Sequence, residues 1–437
     1  MNVAAALSEA DIARTIRLST RRGWAVVAGA FSIMFVTFGT AYSFSAFFAS
    51  LQQSFAASRG EISLSFSIAV PLYYLVGAVS GQLADRYGAR PSCLFGAMVG
   101  GLGLIFAATA TALWQVYAGF GLGIGFGIGF SFVPAIAAVQ RWFVQRRGLA
   151  SGIAVSGIGF GTLIMPPLAA ELIDRIGWRG AWIVLALAVA MVGGVAALFI
   201  DNSPERHGAL PDGGVVSFNR RSGLGPVEGV SLREAVTSRA FIALYLSLVS
   251  IWIGASIPFV HLVPYAEDHG LSHGTAVAIF GMVGIGSALG RFALGGIADR
   301  IGRRSLLAAL FAGLALMQLW WLAATAAWQL AIFAFVFGAC YGGFVALYPA
   351  ITVDYFGGRN ASGIIGVLYT GGAIGSFVGP KLAGDAFDSF GSYAVPITVG
   401  AASALLAALL VITAPAAADR KPIVRTMIHA HSSRRDS

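Results

Sequence analysis

Apolar residues run through this chain in twelve long blocks. Each is near the ~20 residues a helix needs to cross the hydrocarbon of a bilayer. The blocks are 24–50, 62–84, 91–111, 114–140, 149–173, 180–200, 241–264, 275–297, 304–325, 329–353, 361–386 and 394–415. Polar residues gather between the blocks and do not alternate within them, so the pattern predicts lipid-embedded helices. One break is longer than the rest. Residues 201–240 are polar and rich in Gly, Pro and Arg, and read as a loop joining two groups of six helices. The predicted fold class is thus an all-α membrane protein with an N-terminal bundle over 1–200, a linker over 201–240, a C-terminal bundle over 241–415 and a tail over 416–437. The first block is too long for the core of a signal peptide and reads as a retained helix.

Composition narrows the class. Hydrophobic residues make up 57% of the chain and charged residues 11%, with 57 glycines and a mean hydropathy of +0.79. A soluble chain of this length cannot bury that much apolar surface. Cys93 and Cys340 both fall inside apolar blocks and read as packing residues, not as a disulfide or a metal site. The sequence shows no ATP-binding loop, metal-ligand cluster or catalytic triad, so neither an enzyme nor a bound cofactor is expected.

The net charge of +9 could suggest nucleic acid as a partner, but its distribution points to a membrane. Only Arg59, Arg175 and Arg179 fall in the loops after odd-numbered blocks, and Arg291 and Lys381 lie within blocks. The remaining 23 of the 28 basic residues fall in the tails and in the loops after even-numbered blocks. By the positive-inside rule both termini are expected in the cytoplasm of a multi-pass cell-membrane protein. Acidic Glu267, Asp268 and Asp388 at the odd loops fit that orientation. The basic tail reads as a solvated segment, with weak attraction to anionic lipid as the alternative.

The two groups of six helices repeat one another. Gly81-Gln82-Leu83-Ala84-Asp85-Arg86-Tyr87-Gly88-Ala89-Arg90 follows the second block, and Gly295-Gly296-Ile297-Ala298-Asp299-Arg300-Ile301-Gly302-Arg303-Arg304 follows the eighth. Pro134-Ala135-Ile136 in the fourth block recurs as Pro349-Ala350-Ile351 in the tenth, and Asp174 after the fifth recurs as Asp388 after the eleventh. All three pairs are separated by 214 or 215 positions. A duplicated six-helix unit predicts a substrate site between the copies and rocking of one copy against the other.

The twice-repeated Gly-x-x-x-Asp-Arg-x-Gly-x-Arg loop resembles the signature of the major facilitator superfamily, and the resemblance runs over about residues 20 to 415. It implies a secondary transporter working by rocker-type alternating access, as a monomeric unit and without a cofactor. In that reading Gly81, Asp85, Arg86, Gly88, Arg90, Asp299, Arg300, Gly302 and Arg303 gate the conformational change. The glycines allow a tight turn, the aspartates accept hydrogen bonds at a helix N-terminus, and the arginines hold the loop at the headgroups.

A second stretch narrows the kinship. Trp142-Phe143-Val144-Gln145-Arg146-Arg147-Gly148-Leu149-Ala150-Ser151-Gly152-Ile153-Ala154-Val155-Ser156-Gly157-Ile158-Gly159-Phe160-Gly161 resembles the monocarboxylate transporter motif, with Trp for Tyr, Gln for Lys and Ser for Ala. The oxalate–formate antiporter group is similar as well. Without the family, Arg146-Arg147 reads as a cytoplasmic anchor and Gly152, Gly157 and Gly161 as a face for close helix packing. The run of glycines from Gly119 to Gly129 at every second position reads the same way. It lacks the spacing of a nucleotide-binding loop, and no strand precedes it.

Arg291 carries the strongest chemical signal. A charge within a membrane span costs ~3 kcal/mol on insertion scales, so a chain that keeps one usually holds a polar cavity or an ion there. Arg291 is eight residues before Asp299, about 12 Å along the helix from the even-loop end. Its planar guanidinium can grip a carboxylate through two parallel hydrogen bonds. A helix-to-helix ion pair is the plainer alternative. Monocarboxylate transporters resemble this chain here too, with an Arg in the eighth span that binds the substrate carboxylate. Animal members carry an Asp four residues earlier that takes part in proton coupling. Ser287 stands at that position here, so it can hydrogen-bond substrate but cannot relay charge.

Other candidates are less specific. Lys381, late in the eleventh block, matches a Lys that related organic-anion transporters use, yet it lies ~30 Å along its helix from the even-loop end. Snorkelling, or pairing with Asp385 or Glu171, competes with a substrate role. Tyr42, Phe132, Tyr341 and Tyr369 could line an apolar pocket around a short acyl chain, with ordinary packing as the alternative. His261, Glu171 and Asp385 are the candidate proton carriers, and for His261 a neutral ring bonded to a backbone carbonyl is the plainer reading.

The expected function is movement of small organic anions, monocarboxylates first, by symport with protons or by anion exchange. A drug exporter would embed acids rather than an arginine, and a membrane sensor would need a folded domain that neither the linker nor the tail is long enough to supply. Single cysteines placed in 201–240 and after 416 should react only from the cytoplasmic side. Labelling at position 203 from outside would overturn the twelve-span topology.

Overall fold

A computed structural model describes residues 9–143, 146–202, 204, 229–357 and 361–415. The tail from 416 and most of the 201–240 linker lie outside the described residues. In chain order the α-helices are α1 (Glu9–Tyr42), α2 (Phe44–Phe55), α3 (Arg59–Tyr87), α4 (Ala89–Ala108), α5 (Leu113–Val116), α6 (Gly123–Trp142), α7 (Arg147–Phe199), α8 (Leu232–Val236), α9 (Arg239–Ser256), α10 (Pro258–Asp268), α11 (His273–Ile301), α12 (Arg303–Ala323), α13 (Ala327–Phe356), α14 (Ala361–Phe390) and α15 (Ala394–Thr413). A π-helical turn over Tyr117–Leu122 joins α5 to α6. Among the described residues the only β-pairing is an isolated bridge between Gly229 and Gly357.

Among the described residues, eleven segments are long and apolar enough to cross a membrane. One of them crosses twice. Helix α7 is 53 residues long but breaks at Gly177, whose φ of 73° is not helical. At 1.5 Å per residue it would span ~80 Å, far more than one bilayer core. The break falls between the predicted fifth and sixth blocks, so the all-α, twelve-crossing architecture holds. Three predicted spans are not single helices. The first divides at Ser43 into α1 and α2, the fourth contains the π turn, and the seventh divides at Ile257 because Pro258 opens a new helix. The predicted linker is also partly helical, since α8 lies within it, capped by Ser231 and Glu234.

In hydrocarbon the hydrophobic effect does not press helices together, so small residues must let them touch. The glycine run of α6 shows how. Gly119, Gly123 and Gly127 meet the backbone of α4 at Gly103, Ala107 and Gly100, while Gly121, Gly125 and Gly129 meet Ile68, Leu72 and Val76 of α3. Two sets spaced by four residues are interleaved, one per neighbouring helix. The internal repeat uses the same device. Gly157 and Gly161 of α7 lie against Phe31 and Phe35 of α1, and their counterparts Gly371 and Gly375 of α14 lie against Tyr245 and Val249 of α9.

The repeated loops also match in detail. Gly88 and Gly302 both take positive φ, 103° and 87°, a region that strains any residue with a Cβ. Arg90 donates from Nε to the carbonyl of Ile200 at 3.2 Å, and Arg304 donates from Nε to that of Val411 at 3.1 Å. Each arginine therefore ties its loop to the last turn of its own six-helix group, where carbonyls lack helical partners. Arg303 pairs with Asp354 at 2.8 Å, and Arg86 and Arg300 are exposed. The side chains of Asp85 and Asp299 lie outside the described set.

Two long helix pairs join the six-helix groups to each other, α7 with α11 and α3 with α14, and α2 makes a smaller contact with α10. Beside the first pair, α11 is held flush against α13. A Cβ on Gly286 or Gly290 would collide with the carbonyls of Phe335 or Ala339, and one on Gly338 or Gly342 with those of Val283 or Ser287. G286A should therefore lower the apparent melting temperature in detergent, by an overpacking cost of ~1–3 kcal/mol. G194A meets nothing within 4 Å and gains helix propensity, so it should be neutral or stabilising. A stable G286A protein would show that this contact is not tight.

Candidate functional site

Arg291 lies on α11 where that helix packs against α7. Gly159 and Gly284 bring the two backbones together, with a Cβ at Gly159 falling 2.9 Å from the Gly284 carbonyl oxygen. About two turns further along α11, the Arg291 guanidinium reaches α7 and donates from Nη1 to the carbonyl of Val155 at 3.0 Å. Its Nε is buried without a hydrogen-bond partner. Ser287, four residues earlier and 4% exposed, also buries a hydroxyl without a partner. Residues four apart share a helix face, so two unsatisfied polar groups stand together near the middle of the fold. Among the described residues, no carboxylate is within ion-pair distance of Arg291. A charge even half withdrawn from water is costly without a counter-ion and calls for one.

The electrostatic neighbours of Arg291 are the phenols of Tyr341, Tyr42 and Tyr74. Tyr42 and Tyr341 come from opposite six-helix groups, and their hydroxyls are 3.3 Å apart. Tyr42 stacks on Phe259 at 4.7 Å between ring centroids, and Tyr341 meets Trp252 edge-on at 5.7 Å. Tyr74 of α3 lies 5.6 Å from Tyr369 of α14 and 5.9 Å from Trp252. Phe132 joins through Phe38, 5.4 Å away, and Phe38 lies 5.6 Å from Tyr73. The structure thus brings Tyr42, Phe132, Tyr341 and Tyr369 into one aromatic network spanning both groups, with Ser287 and Arg291 beside it. Such a lining is apolar in its ring faces and polar in its hydroxyls.

Sequence reasoning passed over Tyr73, Tyr74, Trp252 and Phe259. The adjacent tyrosines within Pro71-Leu72-Tyr73-Tyr74-Leu75 carried a signal, two hydroxyls deep inside an apolar block. Trp252 and Phe259 carried none, because an aromatic in a span is ordinary packing until its neighbours are known.

The remaining candidates sit elsewhere. Lys381 gives its Nζ to both carboxylate oxygens of Asp385 at 2.5 Å, one turn along α14. It is twelve residues past Tyr369, ~18 Å along the helix, and so belongs to the odd-loop end. Glu171 pairs at 2.5 Å with Arg175 on the exposed surface of α7. His261 is fully buried. Its Nδ1 meets the hydroxyl of Tyr393 at 3.0 Å, and its Nε2 meets the carbonyl of Pro380 at 2.9 Å and the hydroxyl of Ser63 at 3.1 Å. Cys93 is buried and Cys340 half-buried, both with free thiols. Among the described residues no group of three or more His, Cys, Asp or Glu side chains could hold a metal ion.

Comparison with known proteins places the chain in a family. A family model described as the Major Facilitator Superfamily matches residues 30–326 and, in a second alignment, 244–434. The chain is 28% identical to Monocarboxylate transporter 12 of Xenopus laevis, over 89% of this chain and 87% of that one. It is 29% identical to Monocarboxylate transporter 11 of Homo sapiens, over 90% of this chain and 83% of that one. A solved bacterial homolog of the human lysosomal transporter Spinster, in an inward-facing and unoccupied conformation, superposes with a TM-score of 0.63 at 15% identity, covering 90% of this chain and 95% of that one. That likeness is one of fold. The relatives and the fold are those of transporters and not of enzymes. The chain belongs to the major facilitator superfamily and is a membrane transporter related to the monocarboxylate transporters.

Proposed function

We propose that the protein carries small organic anions, monocarboxylates first among them, across the cell membrane by rocker-type alternating access, with both termini in the cytoplasm. The observation that carries this reading is Arg291, half-buried between α7 and α11, with its buried Nε and the neighbouring Ser287 hydroxyl both unpaired. A substrate carboxylate would supply the missing counter-charge and accept from both. The aromatic network would receive the acyl chain. The names of the relatives support the same class of substrate.

One carboxylate is favoured over two. A dianion held at both ends needs a second cation, and Lys381 is already paired with Asp385. A proton relay beside Arg291 would need a titratable group one turn away, and Ser287 occupies that position. His261 has hydrogen-bond partners at both ring nitrogens, which favours a structural role. Exchange of one anion for another is therefore the coupling mode that these side chains support better than proton symport.

The charge contact is open to direct test. Removing one partner of a buried charge pair leaves the other uncompensated, at ~3–5 kcal/mol or several hundredfold in affinity. R291Q should lose the thermal shift that short-chain carboxylates induce in wild type, while remaining monodisperse in detergent. R291K keeps the charge without the planar fork and should be impaired as well. K381Q should bind carboxylate like wild type. Undiminished binding by a well-folded R291Q protein would falsify the assignment, and loss of binding in K381Q would restore a two-cation site.

A further inference from the structure

Arg59 opens α3 at the odd-loop end, where Ser58 and Glu61 form a capping box. Every partner of its side chain comes from the other six-helix group. The guanidinium donates to both oxygens of Asp268 at the end of α10, from Nη1 at 2.7 Å and from Nη2 at 2.6 Å. It donates to the hydroxyl of Tyr393 at 2.6 Å and lies 3.9 Å above the ring of Phe387. Asp388, near the end of α14, accepts from the backbone N–H groups of Arg59 at 2.9 Å and Gly60 at 2.8 Å. Those are first-turn donors with no helical partner, at the positive end of the α3 dipole. Gly60 and Gly384 allow the approach, since a Cβ on Gly384 would lie 2.6 Å from the Gly60 Cα.

The contact continues inward. Tyr393 bonds His261 as well as Arg59, and His261 bonds Ser63 of α3. Below that layer, Tyr42 stacks on Phe259 at the edge of the Arg291 site. Three sets of contacts thus join the two groups between the odd-loop surface and the candidate site.

The internal repeat provides a control. Ser58-Arg59-Gly60-Glu61 at the start of α3 corresponds, 214 positions on, to Ser272-His273-Gly274-Thr275 at the start of α11. His273 pairs with Glu267 of its own group at 2.5 Å, and Asp174 of the opposite group, the counterpart of Asp388, acts on it only through its charge. Among the described residues, the α3 start is thus the one of the two that is hydrogen-bonded to the opposite group.

We propose that Arg59 and Asp388 form a latch that holds the odd-loop end shut in the resting protein, so that opening toward that side requires their release. This rests on the alternating-access reading but not on the identity of the substrate. Both latch elements use charge-assisted hydrogen bonds, and Asp268 and Asp388 reach solvent at the rim, so the released charges can be rehydrated.

The test is a distance measurement on the full chain in lipid nanodiscs without substrate. Spin labels at Gln53 and Ser389, both exposed at the odd-loop end on opposite groups, are introduced in a C93A/C340A background. Wild type should show one dominant short distance. In R59Q and D388N a longer-distance population should rise by about tenfold, the equivalent of ~1.4 kcal/mol. H273Q should match wild type. Wild-type distributions in both R59Q and D388N would overturn the latch, as would an equal shift in H273Q. Because no ligand is present, failure here leaves carboxylate binding untouched, and failure of carboxylate binding leaves the latch untouched.

Discussion

Close contact between glycine backbones is the constraint on which this structure depends. Lipid tails are as apolar as leucine, so bringing two spans together gains little unless their surfaces fit atom to atom. Glycines at intervals of four supply that fit on α6, α7, α11, α13 and α14. The consequence for function is positional. Helix α11 is pinned on one side to α13 through Gly286, Gly290, Gly338 and Gly342, and on the other to α7 through Gly159 and Gly284. A side chain leaving α11 between those contacts has little freedom of place, and Arg291 is that side chain.

The cost of the arginine then shapes what surrounds it. A guanidinium without a carboxylate must be stabilised by weaker means, here one backbone carbonyl, with the phenols of Tyr341, Tyr42 and Tyr74 as its electrostatic surroundings. Phenols can soften a positive charge without neutralising it. On the proposed reading the site would thus attract an anion, a pull that an aspartate in place of Ser287 would partly satisfy from within. The same logic removes Lys381 from the site. Its charge is met by Asp385 on its own helix, so it exerts no comparable pull.

Much of this was legible in the sequence because it is local or periodic. Span length, the 214-residue repeat and the asymmetry of arginines are properties of the chain itself. The Lys381–Asp385 pair could be weighed in advance because the two residues are one helical turn apart. The glycine run was read as packing, but its division between α3 and α4 needed the neighbours. The aromatic network was only half visible. Tyr42 and Tyr341 could be singled out as span aromatics, whereas Tyr74, Trp252 and Phe259 gain meaning only when α3, α9 and α10 converge. The breaks at Ser43 and Ile257 were hidden inside continuous hydrophobicity, since apolar composition reports burial in lipid and not the straightness of a helix.

The contacts of Arg59 were the least legible, and the reason is instructive. Arg59 meets residues 209 to 334 positions away, in three different elements. In sequence it was one of three arginines on the sparsely charged side, an exception to the distribution that set the topology. The repeat, which made the fold readable, also concealed the difference, because duplicated units suggest equivalent roles for equivalent positions. Yet equivalent helix starts of the two copies lie at the same, odd-loop end. A grip repeated in both would only hold that end more firmly, so the balance between states depends on contacts at the odd-loop end weighed against those at the even-loop end. In the proposed latch, Arg59 and Asp388 add weight to the state closed at the odd-loop end.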